Sequence, residues 1–147
     1  MKKLVFVLLM CLFITTSAAS EMDDRWVFIG ENVEANEYYF DIRTINRPNS
    51  GNNKVFEVFI RTTYSDAGRK TMQDIDSRLT DLSHSIYRWS FDGDKRVFRF
   101  LSSAYYNHAG IVIHSSNSAG ESDAILPDST AEAIYDAVHS WLTANSK

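Results

Sequence analysis

The stretch PDSTAEAIYDAVHSWL, residues 127–142, decides the fold. Ser129 and Glu132 form an S-x-x-E capping box, in which each side chain satisfies a free backbone N–H at a helix start, and Pro127 lies just before it. Ala131, Ile134, Val138 and Trp141, with Leu142 beside them, make one apolar stripe at helical spacing. A helix with such a stripe must dock on something, and the sequence before it supplies a sheet.

Working backwards, Arg96 to Tyr106 and Ser85 to Phe91 read as a hairpin about Asp92-Gly93-Asp94-Lys95, since Asp-Gly tolerates the positive φ angles of tight turns. Tyr87, Trp89 and Phe91 share one face of their strand, with Ile86, Arg88 and Ser90 on the other. Lys54 to Tyr64 is the longest strand, with Phe56, Val58, Ile60 and Tyr64 on one face. Trp26 to Ile29, Glu37 to Ile42 and Ile111 to His114 complete the set, and Ser115 to Asp123 reads as a flexible polar connection. Ser65 to Ser83 carries Met72, Ile75, Leu79 and Leu82 at helical spacing among many polar residues, and reads as a long loop with one or two helical turns. All six glycines are expected between periodic segments, as in an antiparallel sheet with tight turns. With no βαβ alternation, the expectation is an α+β fold: a curved antiparallel sheet of about five to six strands with the C-terminal helix packed on one face.

The N-terminus has the layout of a secretory signal. Lys2 and Lys3 precede an unbroken apolar run, Leu4 to Ile14, and then small polar residues. Such a run is too short to cross a membrane core about 30 Å thick. Cleavage is expected after Ala19 or Ser20, leaving residues 20–147 as one domain at the periplasm or cell surface. The competing reading, a lipoprotein signal ending at Cys11, fits less well because bulky Met10 stands before the cysteine and Leu12-Phe13-Ile14 carries the apolar run past it.

The chain has 15 basic and 19 acidic residues, and loss of the leader removes two of the basic ones. That balance argues against nucleic acid or anionic lipid as partner, because both require clustered Lys and Arg. Cys11 is the only cysteine, so the processed domain would have neither an internal disulfide nor a thiolate metal site.

The residues that could carry chemistry have ordinary explanations. The histidines, 84, 108, 114 and 139, lack the paired short spacing of zinc ligands. The Ser115-Ser116-Asn117-Ser118 cluster lies outside any G-x-S-x-G motif, and Asp92, Asp94, Asp74 and Asp76 fit turn chemistry and solvation. No residue is assigned a catalytic, cofactor-binding or metal-ligating role, and no cofactor is implied. The seven Tyr, nine Phe and three Trp leave two readings open: core packing on both faces of the sheet, or one aromatic face shown to a partner.

A constellation across nearly the whole chain resembles the surface-adhesin protein E-like family of bacterial exported domains. It comprises Trp26, Tyr38-Tyr39-Phe40-Asp41, Asp92-Gly93-Asp94-Lys95-Arg96-Val97-Phe98-Arg99 and Leu101-Ser102-Ser103. Tyr105-Tyr106, Gly110-Ile111-Val112-Ile113, Pro127-Asp128-Ser129 and Glu132 complete it. The resemblance implies a curved antiparallel sheet whose concave face receives the C-terminal helix, and a non-enzymatic envelope domain binding a protein such as an extracellular-matrix component. It also implies a disulfide joining helix to sheet, whose places here are taken by Gly93 and His139, so Ile134, Val138 and Trp141 must hold the helix by packing. The tryptophan the family often carries before its proline is absent, with Asp123-Ala124 nearby instead. Arg96 and Arg99 match the family's two arginines. Being three apart on a strand, they are expected on opposite faces, with any helix-side one bound to a carboxylate such as Asp41 or to the helix C-terminal carbonyls. The alternative function is a periplasmic small-ligand or metal-binding protein with a pocket gathering His108, His114 and Tyr106.

Overall fold

The computed structural model describes residues 24–146, so the expected leader, its cleavage point and Cys11 lie outside the described residues. The elements run β1 (Trp26–Glu31), β2 (Glu37–Asp41), β3 (Val55–Thr63), α1 (Asp66–Ile75), a 3-10 turn at Ser77–Leu79, β4 (Leu82–Asp92), β5 (Val97–Asn107), β6 (Val112–Ser116), β7 (Asp123–Ala124) and α2 (Thr130–Asn145). The sheet is antiparallel in chain order from β1 to β6, and the two-residue β7 pairs with β5. The α+β architecture expected from the sequence is therefore present, with one short strand more than anticipated.

Register defines the faces. Residues directly opposite across strands share a side of the sheet. Four rows follow on the side that receives α2. Phe56, Phe91 and Phe98 form the first; Val58, Trp89 and Phe100 the second. Phe40, Ile60, Tyr87, Ser103 and Ser116 form the third; Tyr38, Thr62, Ser85, Tyr105 and His114 the fourth. The rows grade from aromatic to hydroxyl-bearing. Bulges near Ile29, Ser83, Leu101 and Ile113 interrupt the ladders, and each bends and twists its strand.

Helix α2 seats its stripe on the apolar rows. Ile134, Val138 and Leu142 are buried against Phe40, Phe56, Val58, Ile60 and Phe91. Burying a side chain of that size contributes about 1.5–3 kcal/mol. Ser129 Oγ accepts the Glu132 N–H at 3.2 Å, as the capping box requires. Glu132 answers differently from the motif: its Oε2 accepts the Asp128 N–H at 2.8 Å, one residue before the cap, and its Oε1 takes Arg96 Nη2 at 2.7 Å.

Three expectations need correction. The segment 65–83 contains a full helix, α1, rather than a loop with scattered turns. Ser65 caps it by accepting the Gly68 N–H at 3.0 Å, and Asp76 Oδ1 accepts the Arg78 N–H at 3.0 Å to start the 3-10 turn. The glycines are also not all between elements, for Gly68 lies inside α1 and Gly30 inside β1. Finally, Ser115 to Asp123 is not a free connection. Its first residues belong to β6, Gly120 N–H donates to Phe100 O at 2.9 Å, and β7 follows, so this stretch runs along the outer edge of β5.

The β4–β5 turn departs from its expected chemistry too. The positive φ falls on Arg96, at 55°, and not on Gly93. Gly93 is there for a close approach: a Cβ on it would lie 2.0 Å from Tyr135 Oη. Tyr135, not His139, thus fills the place facing Gly93, and His139 stacks on Tyr135 with centroids 5.5 Å apart. Where the resemblance implies a disulfide, an aromatic ring on α2 presses against bare backbone.

Candidate functional site on the helix-bearing face

Two apolar clusters bracket the fourth row. One is the α2 core; the other joins Tyr64, Leu79 and Leu82 with Met72, Tyr105 and Ile113. Between them the hydroxyls bond one another. Tyr64 Oη and Ser85 Oγ lie 2.8 Å apart, and Tyr87 Oη meets Tyr105 Oη. At the β2 end Asn32 Nδ2 donates to Tyr38 Oη at 3.3 Å. Burial pushes the Tyr64 phenol up to about 12 and raises Tyr87 as well, so both stay protonated at neutral pH and act as hydrogen-bonding groups.

Across the third row from this fourth one, the sheet presents aromatic surface at Phe100. Phe100 is 38% exposed. Its ring lies 4.4 Å from Trp89, 5.5 Å from Tyr87 and 5.6 Å from Phe98, in edge or tilted contacts that rings prefer. The Trp89 indole N–H is buried without an acceptor. Both sequence readings of the aromatics therefore have substance. Most rings pack, and Phe100, like Phe28, is exposed.

The histidines do not gather at one point. His108 Nδ1 lies 2.9 Å from Asp81 Oδ1, His114 packs on Tyr105 at 5.8 Å, and His84 stacks flat on Tyr106 at 4.8 Å. Register puts Tyr105 with His114 on the α2 side and Tyr106 on the other, so the pocket imagined around His108, His114 and Tyr106 does not form. Among the described residues no group of three or more His, Cys, Asp and Glu converges. A cavity of about 460 Å³ does exist elsewhere, between β1 and the start of α2, lined by Ile29, Glu31, Asn32, Tyr38, Asp128 and Thr130.

No family model, curated protein or solved structure matches the chain.

The arginines and aspartates expected to have structural roles sit as follows. Asp41 is fully buried, but its partner is Arg25, whose Nε donates at 3.0 Å, and it also accepts the Arg43 N–H at 3.0 Å. Arg96 does not reach Asp41 or the helix C-terminus. It clasps the other end of α2 through Glu132 and the Ile125 carbonyl, at 3.2 Å. Arg99 is exposed. Asp92 holds the turn through the Lys95 N–H at 3.1 Å, Asp94 pairs with Lys54 at 3.3 Å, and Arg78 holds the Asp76 carboxyl down to about 2. Sequence reasoning missed Tyr64, Ser85 and Tyr105 as a set, because a row across four strands is invisible until register is known.

One group gives a pH signature. Burial, with Arg61 and His108 nearby, pulls the His84 imidazole down to about 4 from its ordinary 6.5. Between those values the unfolded chain binds a proton that the folded chain refuses, so stability is lost as pH falls through that window and is level above it. The melting temperature is expected to drop between pH 7 and pH 5, and His84→Phe, which keeps the ring on Tyr106, to flatten that part of the curve. An unchanged slope in the variant would remove His84 from the account.

Proposed function

We propose that this chain is an exported, non-enzymatic envelope domain that binds a protein partner through the open aromatic and hydroxyl surface of β4, β5 and β6. The observation that carries it is Phe100, an exposed ring backed by Trp89, Tyr87 and Phe98 and flanked by the row ending at Ser103 and Ser116. Rigid aromatics beside hydrogen-bonding groups characterise the anchoring parts of protein interfaces. The residue constellation resembling the surface-adhesin protein E-like family supports the same reading, as does the leader-like N-terminus for its location.

The full chain, produced in a bacterium with an envelope, should be recovered there with a mass lacking residues 1–19 or 1–20. Crosslinking and capture from envelope extracts should then enrich a protein that Phe100→Ser loses by at least about fivefold, the loss of one interface anchor, while melting unchanged. Failure to enrich any protein after crosslinking overturns partner binding; recovery of uncut chain in the cytosol overturns export. The cavity between β1 and α2 favours a second reading, a small cationic ligand held by Glu31 and Asp128. A thermal-shift screen with simple amines separates the two.

A further inference from the structure

The face of the sheet turned away from α2 holds a cation that the fold leaves unanswered. Arg61, two residues before the end of β3, is half-buried, and its Nε is buried with no hydrogen-bond partner. Arg25 pairs with Asp41, Arg69 with Asp66, Arg78 with Asp76, Arg88 with Glu57 and Arg96 with Glu132, whereas Arg99 is in open solvent. Burying part of a guanidinium without an acceptor is unfavourable, and groups left unpaired in this way call for a reason. Glu37, diagonal to it on the same face, accepts the Tyr39 hydroxyl at 2.8 Å through one oxygen.

Register shows what surrounds it. Tyr39 stands directly opposite on β2 and Ile86 on β4; Thr63 and His84, themselves a cross-strand pair, follow two residues along. The patch therefore combines one fixed planar cation, a threonine hydroxyl, a tyrosine and an imidazole stacked on Tyr106. Of these, the guanidinium, the Thr63 hydroxyl and an imidazole N–H can donate to an anion, while the Tyr39 proton is given to Glu37.

We propose that Arg61, with Tyr39, Thr63 and His84 around it, anchors a binding site for an anionic group, a carboxylate or a phosphate-type oxyanion. A guanidinium recognises either through a two-pronged contact, and a half-desolvated one binds more strongly than a fully hydrated one. A bound anion would give the guanidinium the charge partner that the fold does not supply. It would also lie near His84 and favour the charged imidazole.

Titration of the His84 ring by NMR tests this directly, with acetate, an acidic peptide, sulfate and inorganic phosphate as probes against chloride at equal ionic strength. The expected result is saturable binding with an upward movement of the His84 titration. Arg61→Gln should abolish the response while leaving melting temperature unchanged or higher, and Arg61→Lys, which keeps the charge but not the fork, should weaken it about tenfold or more. Preference among the probes identifies a carboxylate or an oxyanion as the source. No response to any probe up to tens of millimolar, or an equal response in Arg61→Gln, overturns the site. Neither result bears on the partner surface at Phe100, which lies on the opposite face.

Discussion

Phe56→Ala should destabilise this domain by about 3–5 kcal/mol, the usual range for truncating a buried aromatic ring. Phe56 is fully buried, with Phe91 at 5.2 Å on the same row and Tyr135 of α2 stacked on it at 5.7 Å. It therefore joins sheet to helix, and its loss leaves a void that neither side closes without moving the other. Against a total stability of about 5–15 kcal/mol, such a loss is a large fraction. Thermal denaturation followed by circular dichroism should show a fall of roughly 10–20 °C. Phe28→Ala, on a ring that is 55% exposed, serves as the comparison and should move little. Similar losses in both would mean that α2 does not depend on this floor.

Gly68→Ala should also destabilise, by about 1–3 kcal/mol, the cost of forcing extra volume into a packed contact. The sign is the informative part. In an exposed helix interior the same change normally stabilises by up to about 1 kcal/mol, because Ala loses less conformational freedom than Gly. Here an added Cβ would fall 1.8 Å from Asn36 Oδ1 and 2.6 Å from Asn36 Cγ. Asn36 is itself buried and held, since its Oδ1 accepts the Ser65 N–H at 3.0 Å and its Nδ2 donates to Glu34 at 3.2 Å. It has little room to yield. Urea denaturation of the variant decides the matter, and a gain in stability would show that α1 rests more loosely on the 32–36 turn than the contact indicates.

These two positions also mark where the sequence was transparent and where it was opaque. Helix α2 was legible because its burial is one-sided and deep: Ile134 and Val138 recur at helical spacing, and Ser129 with Glu132 punctuates the start. The strands from β3 to β5 were legible for the matching reason, period-two alternation of Phe56, Val58 and Ile60, then Trp89 and Phe91. Helix α1 was not. The only residue of α1 that is buried is Gly68, a helix-weakening type, so the usual apolar stripe is replaced by backbone packing. Ser65 as a cap was the available signal, and the glycine three residues on spoke against it. The candidate surface was legible only in part. Aromatic abundance suggested an exposed face, but the grouping of Tyr64, Ser85, Tyr87 and Tyr105 arises from strand register, which no local pattern encodes. Arg61 gave no sign at all, because an arginine on the outward side of a strand looks solvated until its neighbours are placed.

The meeting of Gly93 with Tyr135 has a consequence for where this domain can live. Helix and sheet are joined by a ring on backbone, and no cysteine follows Cys11 in the chain. Thiol-active surroundings therefore have no purchase on the folded unit. It needs no oxidase to mature, and glutathione cannot unpick it. Reducing and oxidising surroundings alike would leave the seam between its layers unchanged.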